Sequence, residues 1–328
     1  MESGIGKFMR AMTMGGLVIA CTAAHAQGTY PSRPIRWINS STQGGGVDVT
    51  ARIFVNDLAR ELGQPVVVDN RAGASGILAS DLVHSAQPDG YTLLATAASL
   101  VSTAQALKRF SFDARTGLIP VAMLSSQPYL FVTSLSVPVK SVADFISFAR
   151  ANAGKLNYAS TGIGSASHLG MELFSYTVKI SLTHIPYKSA GPALIDVVSN
   201  RTPLVFISSV LSSAPHVKTG KLRALAITSD RRSEAFPEVP TMKESGGGDF
   251  LLENWYASFA PPRTPAPILE TLNRATRKAG QSRFVQEKLQ TEGAEVKDLS
   301  VDALYKEYIA EIGRWERFVE STGFKLQE

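Results

Sequence analysis

Two short segments combine glycine, hydroxyl residues and the expected start of a helix: Ser40-Ser41-Thr42-Gln43-Gly44-Gly45-Gly46 ahead of Asp48, and Thr161-Gly162-Ile163-Gly164-Ser165-Ala166-Ser167 ahead of His168. At such a junction the N–H groups of the first helical turn have no intrahelical acceptor and stand at the positive end of the helix dipole. Glycines let a ligand approach the backbone and hydroxyls add donors, so the combination can bind an anion without a charged side chain. Ordinary strand-to-helix turns, with Asp48 and Ser167 serving only as caps, would look the same locally. Two such loops in a chain with an export-type N-terminus favour binding.

Enzymatic chemistry finds less support. The chain has no Gly-x-Ser-x-Gly elbow and no phosphate loop, and Gly162-x-Gly164 lacks the third glycine of a dinucleotide fingerprint. His168 and Glu172 stand four apart on a helix, but no third ligand accompanies them, so neither a metal nor a cofactor is expected. Ser165 and His168 are near in sequence only, and a hydrolase built on them is the rival reading.

The elements that would hold the loops alternate. Ile35–Asn39, Pro65–Val68 and Tyr91–Ala95 read as strands, with one helix opening at Asp48 and another over Ile77–Ala86. This βαβαβ opening suits a parallel sheet covered on both faces. The series resumes with helices Val142–Ala151, His168–Val178 and Pro192–Ser199. Strands Leu156–Ala159, Leu182–Pro186, Leu204–Ile207 and Leu222–Thr228 alternate with them, and Trp255–Ala260 follows. Helices Ile268–Ala279 and Phe284–Thr291 precede a long one, whose apolar stripe from Val301 through Tyr305, Tyr308, Ile312 and Trp315 to Val319 reads as core packing. Pro120–Tyr129 and Leu225–Asp230 read as extended crossings. They divide the chain into a discontinuous lobe I, residues 27–124 plus 231–328, and a lobe II, residues 125–230, with a ligand cleft at the hinge.

Residues 1–26 read as an export signal: Lys7 and Arg10, an uncharged apolar run from Ala11 to Thr22, then Ala24-His25-Ala26 as a cleavage site. Val18-Ile19-Ala20-Cys21 also resembles a lipobox, but cleavage after Ala26 leaves the usual short lead-in to the first strand. The only cysteine would then depart with the signal, which excludes disulfides and thiol chemistry. Other apolar runs are strand-sized, short of the ~18–20 residues of a membrane span, and exclude a membrane-embedded transporter. Removing Glu2, Lys7 and Arg10 from 33 basic and 28 acidic residues leaves 31 and 27, a net of +4. These charges are scattered without a basic stripe, which argues against nucleic acid.

Several ordered segments resemble the substrate-binding proteins of bacterial tripartite tricarboxylate transporters, the Bug-type periplasmic receptors. They are Tyr30-Pro31-Ser32-Arg33-Pro34-Ile35, Gly44-Gly45-Gly46-Val47-Asp48, the run from Leu62 to Arg71, Pro88-Asp89-Gly90-Tyr91-Thr92-Leu93-Leu94, Ser167-His168-Leu169, Pro186-Tyr187-Lys188 and Pro192-Ala193. The resemblance covers essentially the whole mature chain. It implies an α/β, two-lobed periplasmic-binding-protein fold (Venus-flytrap, type II-like) with a hinge of two crossing strands and no catalysis. It also implies a periplasmic monomer that holds a small organic carboxylate by backbone N–H groups, hydroxyls and waters, and delivers it to integral-membrane transporter subunits. A sensor that hands its closed form to a signalling partner is the alternative.

The expected ligand loops are then Ser40–Asp48 and Ser160–His168, with Ser41, Thr42, Gly44, Thr161, Gly162, Ser165 and Ser167 as contacts and Asp48 as the cap of its helix. The resemblance adds Thr96 to Ser99 as a floor. Where relatives commonly carry an aromatic residue flanked by prolines this chain has Ser40-Ser41-Thr42, and where many carry an acid it has Ser208-Ser209. A roomier, more hydroxylated pocket and a ligand without an amino group follow as expectations.

Overall fold

A computed structural model describes residues 30–98, 100–101, 108, 110–187, 190–199, 204–233, 236–291 and 293–323. The export segment with Cys21, and Ser99, lie outside the described residues. β1 (Ile35–Asn39) runs parallel to β2 (Val66–Asn70) on one side and to β3 (Thr92–Ala97) on the other. β9 (Glu253–Ala260) then pairs antiparallel with both β3 and β4 (Ile119–Thr133). Beyond β4 come β7 (Leu204–Ser209), β5 (Asn157–Ser160) and β6 (Thr183–Pro186), the last three mutually parallel, while β8 (Arg223–Ile227) pairs with β4. The sheet is therefore mixed: the expected parallel pairing holds at its two ends, and the antiparallel pairs are those of β4 and β9.

β4 is the common element. Its 15 residues, at ~3.3 Å each, span about 50 Å. From Ile119 to Pro128 it pairs with β9, and from Tyr129 onward with β7 and β8. Pro128 has no N–H to give a ladder, and the change of partner falls directly after it. Here three chain segments are tied together: Tyr129 N–H donates to Thr228 Oγ1 (2.8 Å), Thr228 N–H to Tyr129 O (3.0 Å) and Leu252 N–H to Thr228 O (3.0 Å).

The helices are α1 (Gly46–Leu62), α2 (Ile77–His84), α3 (Val142–Ala151), α4 (Ala166–Val178), α5 (Ala190–Ser199), α6 (Val210–Lys218), α7 (Ala266–Gly280), α8 (Arg283–Thr291) and α9 (Val301–Thr322). Ser141, Ser165, Ser209 and Ser300 cap α3, α4, α6 and α9 by accepting an N–H of the first turn, worth ~1 kcal/mol each. α6 has no sequence counterpart in the reading above; its serines and internal Pro215 obscure the helical period. On α9, Leu304, Tyr308, Ile312, Trp315 and Phe318 are buried in the main core, while Tyr305, expected in the stripe, is 40% exposed. Residues 236–247 pack on β8 and α3: Phe236 and Val239 join Leu130 and Ile227, and Ser245 Oγ donates to Leu225 O (2.9 Å) while accepting the Val142 N–H (2.9 Å).

Candidate functional site

The two glycine-rich loops open on one cavity of about 370 Å3. Gly46 and Val47, the first residues of α1, line it, as do Ala166 and Ser167, the first of α4. In each helix the third N–H is already taken by a serine: Asp48 N–H donates to Ser41 Oγ (3.2 Å) and His168 N–H to Ser165 Oγ (3.3 Å). The N–H groups of Gly46, Val47, Ala166 and Ser167 meet no acceptor among the described residues. Strand residues complete the wall: Tyr129 of β4, Phe206 and Ser209 of β7, and Asn254 and Tyr256 of β9. None of its lining residues among those described is charged. Two helix N-termini thus border a cavity without competing charges among its described lining residues, an arrangement suited to an anion.

The first loop is braced from behind. Asp48, 1% exposed, accepts from Gly44 N–H (2.9 Å), Arg52 Nε (2.9 Å) and Asn70 Nδ2 (2.9 Å). Burial alone would raise its pKa, but these bonds and the Arg52 charge outweigh burial and hold the carboxyl below its ordinary value. The carboxylate is fully occupied within the loop. Gly46 is required by a close approach, because a Cβ there would overlap the Tyr256 hydroxyl, which accepts from Asn254 Nδ2 (3.0 Å).

The second loop is braced by histidines. His168 Nδ1 accepts the Gly164 N–H (3.0 Å), and its ring stacks on His184 of β6 with centroids 3.9 Å apart. His184 Nε2 meets Ser160 Oγ (2.6 Å) and its ring stacks on Tyr158. Burial, and for His168 the neighbouring His184, lower both rings to about 4, so both are neutral near pH 7. Gly162 has φ +123°, a conformation that side chains rarely adopt. The Tyr158 hydroxyl donates to the Glu172 carboxylate, while the His168 ring bonds Gly164, so this pair does not converge. Ser165 Oγ accepts the backbone N–H of His168 and not its ring. No group of three or more His, Cys, Asp or Glu among the described residues is placed to hold a metal.

Of the residues singled out in the sequence, Ser41, Thr161, Ser165 and Ser167 line the cavity. Thr42, Gly44, Asp48, Thr96, Gly162 and Ser208 are not among its lining residues. Thr96 accepts from Ser40 Oγ (2.9 Å), which does line it; Gly162 N–H donates to Ser160 Oγ (3.1 Å). Ser208 is 1% exposed, and the next residue along the strand, Ser209, reaches the cavity. Tyr129, Asn254 and Tyr256 arrive from long strands without any local signal. Cavities of about 610 Å3 beside Arg231 and Glu295, and about 430 Å3 beneath α9, hold ion pairs among their lining charges, Arg231 with Glu295 (2.8 Å) and Lys297 with Glu253 (2.5 Å).

The family model described as "Tripartite tricarboxylate transporter family receptor" matches residues 50–324. Protein BugT of Bordetella pertussis is 36% identical over 323 residues, 97% of this chain and 99% of that protein. Among solved structures, MatC from Rhodopseudomonas palustris with bound malate aligns with TM-score 0.76 and 31% identity, covering 88% of this chain and 100% of that one. The periplasmic binding protein BugD aligns with TM-score 0.77 and 28% identity, covering 91% and 100%.

Proposed function

The chain belongs to the tripartite tricarboxylate transporter family of receptors, with their α/β periplasmic-binding-protein fold, and from that premise we propose that it captures a small organic carboxylate at the α1–α4 cavity and presents it to membrane subunits of the transporter. It is a solute receptor of a non-catalytic family. One observation carries the choice of ligand: the first two residues of α1 and of α4, whose N–H groups meet no acceptor among the described residues, line one cavity that has no charge among its described lining residues. The malate bound to MatC supports the same class.

In this reading the protein has two lobes that close around the ligand, and the ligand favours closure because it touches both. The passage of β4 from β9 to β7 and β8 supports a crossing near Pro128. Packing of residues 236–247 on β8 and α3 supports placing them with the second lobe, so that the return crossing falls near Leu252. Export with cleavage after Ala26 belongs to the same proposal, and the N-terminal sequence of the secreted protein tests it.

Thermal shifts against mono-, di- and tricarboxylates, aromatic acids, amino acids and amides test the ligand class. A ligand at 100 times its Kd adds about 2.7 kcal/mol of stability. Stabilisation confined to carboxylates is the expected result; stabilisation by neutral compounds alone refutes it.

A further inference from the structure

Hydroxyl protons at the two ends of the cavity point in different directions. At the α1 end, fully buried Asn39 accepts the Ser41 N–H on Oδ1 (2.9 Å). That bond settles which end of the amide faces Ser41, so the Ser41 hydroxyl donates to the same oxygen (2.9 Å), with Thr42 O as its other acceptor (3.2 Å). The single Ser41 proton is therefore used within the protein, and one lone pair takes the Asp48 N–H. What Ser41 Oγ offers the cavity is its remaining lone pair. Ser40 beside it also donates inward, to Thr96 Oγ1 (2.9 Å).

At the α4 end the balance is reversed. The hydroxyls of Thr161, Ser165 and Ser167, all on the cavity wall, are joined by two contacts, Thr161 to Ser167 (3.2 Å) and Ser165 to Ser167 (3.1 Å). Two contacts use two protons and the third leaves the cluster. Beside the N–H groups of Ala166 and Ser167 this end presents donors, the match for a carboxylate.

Resting on the carboxylate reading above, we propose that Ser41 is a specificity-determining residue: the ligand carboxylate seats at the α4 end, and Ser41 selects ligands whose other end is an uncharged hydrogen-bond donor, a hydroxyl or a carboxamide. Such a group gives its proton to Ser41 and accepts from Gly46 or Val47. A second carboxylate has no proton to give and sets its lone pairs against those of Ser40 and Ser41. An ammonium group would donate, but it would face the positive end of α1 with no carboxylate among the described lining residues.

Calorimetric titration of the purified protein at neutral pH with 5-hydroxypentanoate, glutaramate, glutarate and 5-methoxypentanoate, and with their four- and six-carbon counterparts, tests this. At matched length the hydroxyl and amide should bind about tenfold or more tightly than the dianion and the ether. Ser41→Ala should bring the hydroxyl-to-ether ratio toward one, whatever loss all four ligands share because the Asp48 N–H and Asn39 Oδ1 also lose this partner. Glutarate matching 5-hydroxypentanoate overturns the inference and leaves the carboxylate reading standing. Failure of every carboxylate overturns both. A Ser41→Ala protein that loses all four ligands equally, with an unchanged circular-dichroism spectrum, assigns Ser41 a bracing role and overturns the proposal.

Discussion

Replacing Gly46 with alanine places a methyl group where the Tyr256 hydroxyl lies and 3.0 Å from its Cζ, so the phenol must move. Gly46 is not among the positive-φ glycines, so its backbone accepts alanine, and helix propensity returns up to ~1 kcal/mol. Overpacking costs ~1–3 kcal/mol, so net stability should fall by no more than about 3 kcal/mol. Binding should suffer more. The displaced phenol leaves Asn254, and the methyl group sits beside the N–H pair of Gly46 and Val47. A loss of ~1–3 kcal/mol raises Kd about 5- to 150-fold. Urea unfolding and calorimetry with the tightest carboxylate of the panel measure the two effects separately. Gly46→Ala combined with Tyr256→Phe removes the overlapping hydroxyl and should recover part of the affinity. Unchanged Kd in the single variant, or no recovery in the double one, would refute the close approach as the reason for glycine here.

Three further outcomes are expected. His168 and His184 are lowered to about 4 from an ordinary 6.5, so the unfolded chain binds more protons between those values; their contribution is intact above pH 6.5 and lost as pH falls toward 4, which urea midpoints across that window should show. Asp48→Ala leaves Gly44 N–H and one of the two Asn70 Nδ2 hydrogens without their acceptor, the other still held by Ser41 O, and should cost ~2 kcal/mol of stability together with weaker ligand binding, read from denaturation and calorimetry. Ser165→Ala should lose ~1 kcal/mol as a cap and bind ligand less tightly, whereas Ser208→Ala, off the cavity wall, should bind normally in the same titration.

Local patterns in the chain were enough to place both loops, because their signals lie within a few residues: glycines, hydroxyls and the onset of a 3.6-residue period. The same locality explains why Ile35–Asn39, Val142–Ala151 and the α9 stripe are legible to within a residue or two. Which loop residues face the cavity is a different matter. Asp48 looks like part of an anion loop in one dimension, but the fold turns its carboxylate back onto Gly44, Arg52 and Asn70. Ser208 and Ser209 are chemically identical neighbours, and only the strand geometry decides which one reaches the cavity.

The sequence by itself determined the family, the alternation of elements and the two helix starts that can meet an anion, since all of these depend on residues close together in the chain. Tertiary structure alone decided that both helix starts share one cavity. It also brought Tyr129 and Tyr256 there from strands more than 100 residues apart, and pressed a phenol against Gly46. Those outcomes depend on sheet register, with β4 changing partner at Pro128 and β9 alternating its side chains, and register is set by pairing between distant segments that no local pattern encodes.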